Sequence, residues 1–224
     1  MSLHLDVPVL HGTLVRLEKL SGHHADQLAA AADDDRSAFG FTWVPHGKAG
    51  AGQYVRTQLG RAQNGELVPF AQVRIADGRA VGSTSYFNFR SLPGSAAPFA
   101  VEIGFTWLAT SAQGSGINLE AKLLLLTHAF ERLGVARVDF KTDARNERSR
   151  RAIAGLGARF EGVLRSFGPS WAPGEEGRLR DCAMYSVIAP DWPACENQLL
   201  ERLERLGRPG DASVDPRAGR SSRR

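Results

Sequence analysis

Six residues, Gln113-Gly114-Ser115-Gly116-Ile117-Asn118, stand directly before the mostly apolar run from Leu119 to Leu126. A helix start leaves its first backbone N–H groups without intrahelical partners and carries a partial positive charge. Glycines let that backbone come close to a ligand, so the stretch from Gln113 to Asn118 suits phosphate oxygens. Two common phosphate loops are excluded. Ile117 and Asn118 stand where a P-loop needs Lys and Ser or Thr, and Leu119 stands where a dinucleotide fingerprint needs its third glycine.

A second candidate is Glu102 in "FAVEIGFTWLA" (99–109). Strand alternation puts Ala100, Glu102, Gly104 and Thr106 on one face and Val101, Ile103, Phe105 and Trp107 on the other. A carboxylate among small residues has room for a substrate or a bridging water and can act as a general base. A structural ion pair is the alternative role. Gly104 inside a strand marks a bulge or a close approach.

The remaining reactive side chains read as structural. Asn146 caps a helix. Arg148, Arg150 and Arg151 form its solvated face. His23 and His24 are neighbours on a helix and diverge, which disfavours a metal. His128 reads as a satisfied core histidine, and Cys182 and Cys195 lack metal spacing.

The elements that position these residues follow from periodicity. A strand over 12–20 is followed by a helix from Ser21 and a second helix ending at Asn64-Gly65. Two runs joined by Asp77-Gly78 read as a hairpin. Then come strand 99–109, helix 117–133, strand 136–142, helix 147–156, strands 158–166 and 179–188, and a final helix after Asp191. Early antiparallel strands and a later β–α–β unit make one mixed-sheet α/β domain over 1–206. The tail 207–224, rich in Gly, Pro, Ser and Arg, reads as disordered.

In order and spacing, "EIGFTW", the Gly-rich loop, its helix and "DARNERSRRAIAGLGA" resemble the GNAT acetyltransferase superfamily over about residues 10–190. The family's acetyl-CoA loop reads Q/R-x-x-G-x-G/A, and Asn118 departs from its last position. Asn146 and Ser149, followed by Leu156-Gly157, are similar to the RimJ/RimL-like branch, which acetylates protein N-terminal amines.

The resemblance implies an α/β (α+β) GNAT fold. Its sheet is mixed, mostly antiparallel and twisted, with helices on both faces and a splayed central pair, 99–107 and 136–142. It implies acetyl-CoA as acyl donor, held by Gln113, Gly114, Ser115, Gly116, Ile117, Asn118 and Asn146 and by backbone groups of Trp107 and Leu108, without a metal. Glu102 is the implied base. The Tyr that many members use on the leaving thiolate falls at Ile153, which leaves Ser149 as the donor to sulfur. Tyr185 reads as packing. Loops 37–47, with Phe39, Phe41 and Trp43, and 166–181, with Trp171, Glu175 and Glu176, flank the acceptor in the family.

The acceptor is then a primary amine. An ordinary lysine amine costs about 4–5 kcal/mol to neutralise at pH 7 and an α-amine about 1 kcal/mol. A peptide N-terminus is favoured over a small molecule such as a polyamine, aminoglycoside or amino acid. A non-catalytic acyl-CoA-binding module stays open as a different class of function.

Bulk features bound the setting. With only two cysteines there is no disulfide framework, and with no long uncharged apolar run there is no membrane span, so the expected location is cytoplasmic. The net charge of +4 rests mostly on the tail, which has five arginines against two aspartates, and this argues against nucleic acid as a partner. Exposed strand edges and family habit admit a homodimer.

Overall fold

The computed structural model of the chain describes residues 5–95 and 97–207. The tail expected to be disordered lies, from residue 208 on, outside the described residues.

Eight strands form one sheet in the order β1-β2-β3-β4-β5-β6-β8-β7. They are β1 (Leu10–His11), β2 (Val15–Lys19), β3 (Leu67–Arg74), β4 (Ala80–Ser91), β5 (Pro98–Leu108), β6 (Arg137–Asp143), β7 (Arg159–Pro169) and β8 (Leu179–Ile188). The helices are α1 (Ala25–Ala32), α2 (Gly47–Gln63), α3 (Ile117–Thr127), α4 (Glu147–Ala154) and α5 (Trp192–Gly207). Every element expected from periodicity is present. The two-residue β1 is an addition, too short to show a period. The helix expected over 117–133 continues past Thr127 as a π-helical turn, His128–Arg132.

Six strand pairs are antiparallel, and β5–β6 alone is parallel. Its pairing covers only Ala100↔Arg137, Val101↔Val138 and Glu102↔Asp139. Beyond Glu102 the two strands part, and a gap opens toward their C-terminal ends. This is the splay that the family resemblance implies.

Val101, Ile103, Tyr86, Val138 and Phe140 are buried on the sheet face that carries α3 and α5. Helices α1 and α2 pack against β3 and β4 on the opposite face, where Tyr54 of α2 meets the Trp107 ring edge-on at 6.2 Å.

The expected alternation along β5 fails at one point. Ser83 pairs with Trp107 and Ser85 with Gly104, so β5 carries one extra residue. Phe105 takes a positive φ of 50°. In such a bulge two consecutive side chains share a face. Glu102, Gly104, Phe105 and Trp107 therefore face the α2 side, and Thr106 turns to α3. Phe105, expected on the face of Ile103, is 41% exposed and stacks on Phe87 at 4.6 Å. Gly104 lies in the bulge because a Cβ there would stand 2.8 Å from Phe87 Cε1.

Candidate active site

The gap between β5 and β6 has two chemically different ends. At its open end β5 runs through Thr110–Ala112 into the loop before α3. Gly114 (φ 74°) and Gly116 (φ 87°) are left-handed, a conformation glycine adopts without steric cost. Among the described residues, no acceptor takes the backbone N–H groups of Gly114 to Leu119. Asn118 Oδ1 is buried without a partner. This bare donor surface at a helix N-terminus fits the pyrophosphate of a CoA molecule.

The loop is held from below by Glu120. Its carboxylate accepts from the backbone N–H groups of Thr13, Leu14 and Val15 and from Thr13 Oγ1, all at 2.7–2.8 Å. That set ties the first turn of α3 to the start of β2. Ser115 Oγ donates to Ala112 O at 2.7 Å.

Arg148 corrects an expectation. It is not merely a solvated residue. From the first turn of α4 its guanidinium donates to Gln113 Oε1 at 2.7 Å and to Ala38 O at 2.5 Å. Gln113 Nε2 in turn donates to Leu108 O at 3.0 Å. Arg150 is also engaged, with Tyr185 Oη at 3.2 Å. Tyr185 is buried, as expected of a packing residue. Trp107 O accepts from Gln72 Nε2 at 3.3 Å, so among the backbone groups expected to meet pantetheine the two carbonyls already have one intramolecular donor each.

Asn146 is the N-cap of α4, its Oδ1 accepting from Ser149 N at 3.0 Å. Ser149 is half-buried, and this contact engages its backbone N–H and leaves its hydroxyl out. Both residues follow β6 and border the gap from the β6 side.

The closed end carries Glu102, which is 4% exposed. Asn88 Nδ2 donates to its Oε2 at 2.6 Å, and Lys141 Nζ lies 3.2 Å from Oε1 and 3.3 Å from Oε2. Burial pushes the Glu102 carboxyl above the ordinary carboxylate range, while Lys141 and Asn88 pull the other way. Sequence reasoning missed Lys141 on β6 and Asn88 on β4, because partners on neighbouring strands are visible only once the strand order and register are known.

The α2-side face of β6 carries Arg137, Asp139, Lys141 and Asp143, alternating in charge. Arg90 and Arg137 both reach Asp139, Arg137 also reaches Glu161, and Arg145 reaches Asp143. Glu175, expected to attract a cationic acceptor, is instead bound by both Arg145 nitrogens at 2.7 and 2.9 Å and by Ser170 Oγ. Those contacts hold its carboxyl down at about 2. Glu176 Oε1 accepts only from Gly174 N at 3.3 Å. Phe39 is buried, Phe41 lies under the Arg145 guanidinium, and Trp43 and Trp171 stay exposed.

On the other face of β5 stands Lys122, a group with no sequence signal. It is buried, and among the described residues its only acceptors are Thr84 Oγ1 (3.1 Å) and Thr106 Oγ1 (2.7 Å). Burial pushes its ammonium down to about 7.

His23 and His24 do not diverge as expected. Their rings lie 3.9 Å apart, and both face Glu18. His24 Nδ1 accepts the Ser21 N–H at 3.1 Å, so its proton sits on Nε2, toward Glu18 Oε2. That arrangement is a helix-start cap, with the ligating nitrogen occupied. His128 is buried as expected, but its Nδ1 has no partner. Both cysteines are buried and free, and burial raises their thiols.

Residues 15–159 match the Acetyltransferase (GNAT) domain family. A GCN5-related N-acetyltransferase from Brucella melitensis superposes with a TM-score of 0.75 at 26% identity, covering 88% of this chain and 86% of its own. A T. thermophilus protein, whose acetyltransferase assignment is itself provisional, superposes at 0.72 with 33% identity over 89% and 98% of the two chains. Mycobacterium smegmatis RimJ, in complex with CoA-disulfide, shares the fold at 0.69 with 23% identity over 87% and 91%. No curated protein matches the chain. Among the described residues no helix is long and apolar enough to cross a membrane.

Proposed function

The chain belongs to the GNAT acetyltransferase family as an acetyl-CoA-dependent N-acetyltransferase, and from that premise we propose that it acetylates the N-terminal amine of a protein or peptide. The observation that carries the reading is the gap itself, with bare backbone donors at one end and a buried carboxylate at the other.

From Glu102 to Leu108 the gap runs about 20 Å at 3.3 Å per residue, a length suited to an extended pantetheine arm. The N–H groups from Gly114 to Leu119 hold the pyrophosphate, and the Asn118 amide oxygen, which lacks a protein donor, can accept from the cofactor. Asn146 borders the arm where β6 ends.

In the reaction the amine nitrogen attacks the thioester carbon, and the C–S bond breaks. The proton shed by the amine goes to Glu102, directly or through one water, and from there to solvent. The thiolate leaves with the Ser149 hydroxyl donating a hydrogen bond to sulfur. An α-amine suits this site because it needs only about 1 kcal/mol to become neutral at pH 7.

Three features support a peptide acceptor. On the charged face of β6, Arg137 and Lys141 stay part-exposed and can meet a peptide's carbonyl groups. Exposed aromatic residues, Phe105, Phe167 and Trp171 among them, can cover peptide side chains. The fold is shared with RimJ and with a ribosomal-protein-S5-alanine acetyltransferase from Vibrio fischeri.

The test is a panel of peptides with varied N-terminal residues against polyamines, aminoglycosides and free amino acids, with CoA release measured. The expected result is a kcat/KM for some peptides at least about tenfold above any small amine. Turnover confined to small amines, or CoA binding with no turnover on any amine, would overturn the acceptor assignment.

A further inference from the structure

We infer that Lys141 is a positioning residue that holds Glu102 as an ionised carboxylate, a role that rests on Glu102 being the proton acceptor. Lys141 lies two residues past the last β5–β6 pair, on the face that Glu102 occupies. Its Nζ sits within 3.3 Å of both carboxylate oxygens. The ammonium is flanked by the Phe87 ring of β4 and the Phe167 ring of β7, each 5.3 Å away. Two aromatic faces attract the cation and restrain its long stem.

The two carboxylate oxygens are not equivalent. Oε2 accepts from both Asn88 and Lys141, whereas Oε1 has Lys141 alone. Oε1 lies on the Gly104 side, where the Phe87 ring takes the place that a side chain would fill. With one partner fewer, Oε1 is the oxygen better able to take the incoming proton.

The surroundings make Lys141 the decisive charge. Asn88 and Phe87 of β4 are neutral. Asp139 of β6 opposes ionisation of Glu102, but Arg90 and Arg137 cover its charge. Cys182 of β8 is a buried thiol raised by desolvation and stays protonated near neutral pH. Among the described residues, Lys141 is the one cation in ion-pair contact with Glu102. Without it, burial would favour the protonated acid, which cannot take a proton from the amine.

The experiment follows the Glu102 carboxyl carbon by 13C NMR through a pH titration of the full chain, in wild type, Lys141→Met and Lys141→Arg. The same proteins are assayed for kcat/KM against pH. In Lys141→Met the carboxyl midpoint should rise by about 1–3 pH units, the range expected for losing a contacting opposite charge. The acid limb of kcat/KM should rise with it, giving about a tenfold loss at the foot of the wild-type plateau and convergence at high pH. Lys141→Arg should keep both near wild type.

An unmoved carboxyl midpoint in folded Lys141→Met overturns the inference. A midpoint that moves while the kinetic limb stays put upholds the coupling and instead removes Glu102 from proton transfer. If Lys141→Met does not fold, Lys141→Gln, which keeps length and polarity without charge, gives the same readout.

Discussion

Glu102 and Glu120 are both buried glutamates, yet their surroundings set them to opposite tasks. Glu120 meets four donors, three of them backbone N–H groups, and has no capacity left. It is a staple between α3 and β2. Glu102 meets one amide and one ammonium, and the ammonium is the sole partner of its Oε1. A carboxylate whose lone pairs are all engaged stabilises structure, whereas one left partly unsatisfied can accept a proton. Lys122 extends the contrast as a buried cation with two hydroxyl acceptors and, among the described residues, no carboxylate in ion-pair contact.

The comparison breaks most visibly at Glu102. Glu102→Gln should lower kcat/KM by about 10²–10⁴-fold, the usual worth of a positioned general base, with little change in Tm. If the loss is below about tenfold across pH 6–9, the two glutamates do not differ as described. Glu120→Ala should do the reverse. It strands several buried donors and should cost roughly 3–5 kcal/mol in denaturant unfolding, while the folded fraction keeps its kcat. A stable but inactive Glu120→Ala would contradict the division of roles.

Lys122→Met sharpens it next. The native state lowers this group from its ordinary 10.5 to about 7. The unfolded chain therefore binds more protons between those values, and stability rises as pH climbs from about 7 to about 10.5. The cost of burying the amine is fully present below pH 7 and gone above 10.5. Methionine removes that cost, so the variant should be more stable at pH 7 by roughly 2–5 kcal/mol, and the gain should fade toward pH 10. A gain that is the same at both pH values would place its origin in packing. The smallest effect belongs to Glu175→Gln. Arg145 already neutralises that carboxylate, so the KM for a cationic peptide should change less than about twofold. A tenfold rise would restore it as an acceptor-attracting charge.

Much of this was legible in the sequence. Period and turn residues located seven of the eight strands and all five helices, because the core is built on alternating and 3.6-residue patterns. The loop from Gln113 to Asn118 was legible for a related reason, since its chemistry is backbone chemistry and glycines announce it. The closed end of the gap was less so. Glu102 could be singled out, but Lys141 becomes its partner only through a three-residue parallel register. The face of Phe105 was misread because one inserted residue in β5 reverses the alternation, and a bulge shifts a side chain without changing composition. Arg148 and Glu175 were misread as free surface charges because their partners lie 35 and 30 residues away in the chain.

The central claim places acetyl-CoA at the open end of the gap, on the backbone of residues 113–118. Calorimetric titration of acetyl-CoA into wild type and Gly114→Asp tests it most directly. Aspartate tolerates the left-handed backbone, and its Cβ would meet nothing within 4 Å, so the fold should survive while a negative charge enters the donor surface. The account predicts clear binding by wild type and a loss of at least about tenfold in the variant. Equal affinity in both proteins would contradict it.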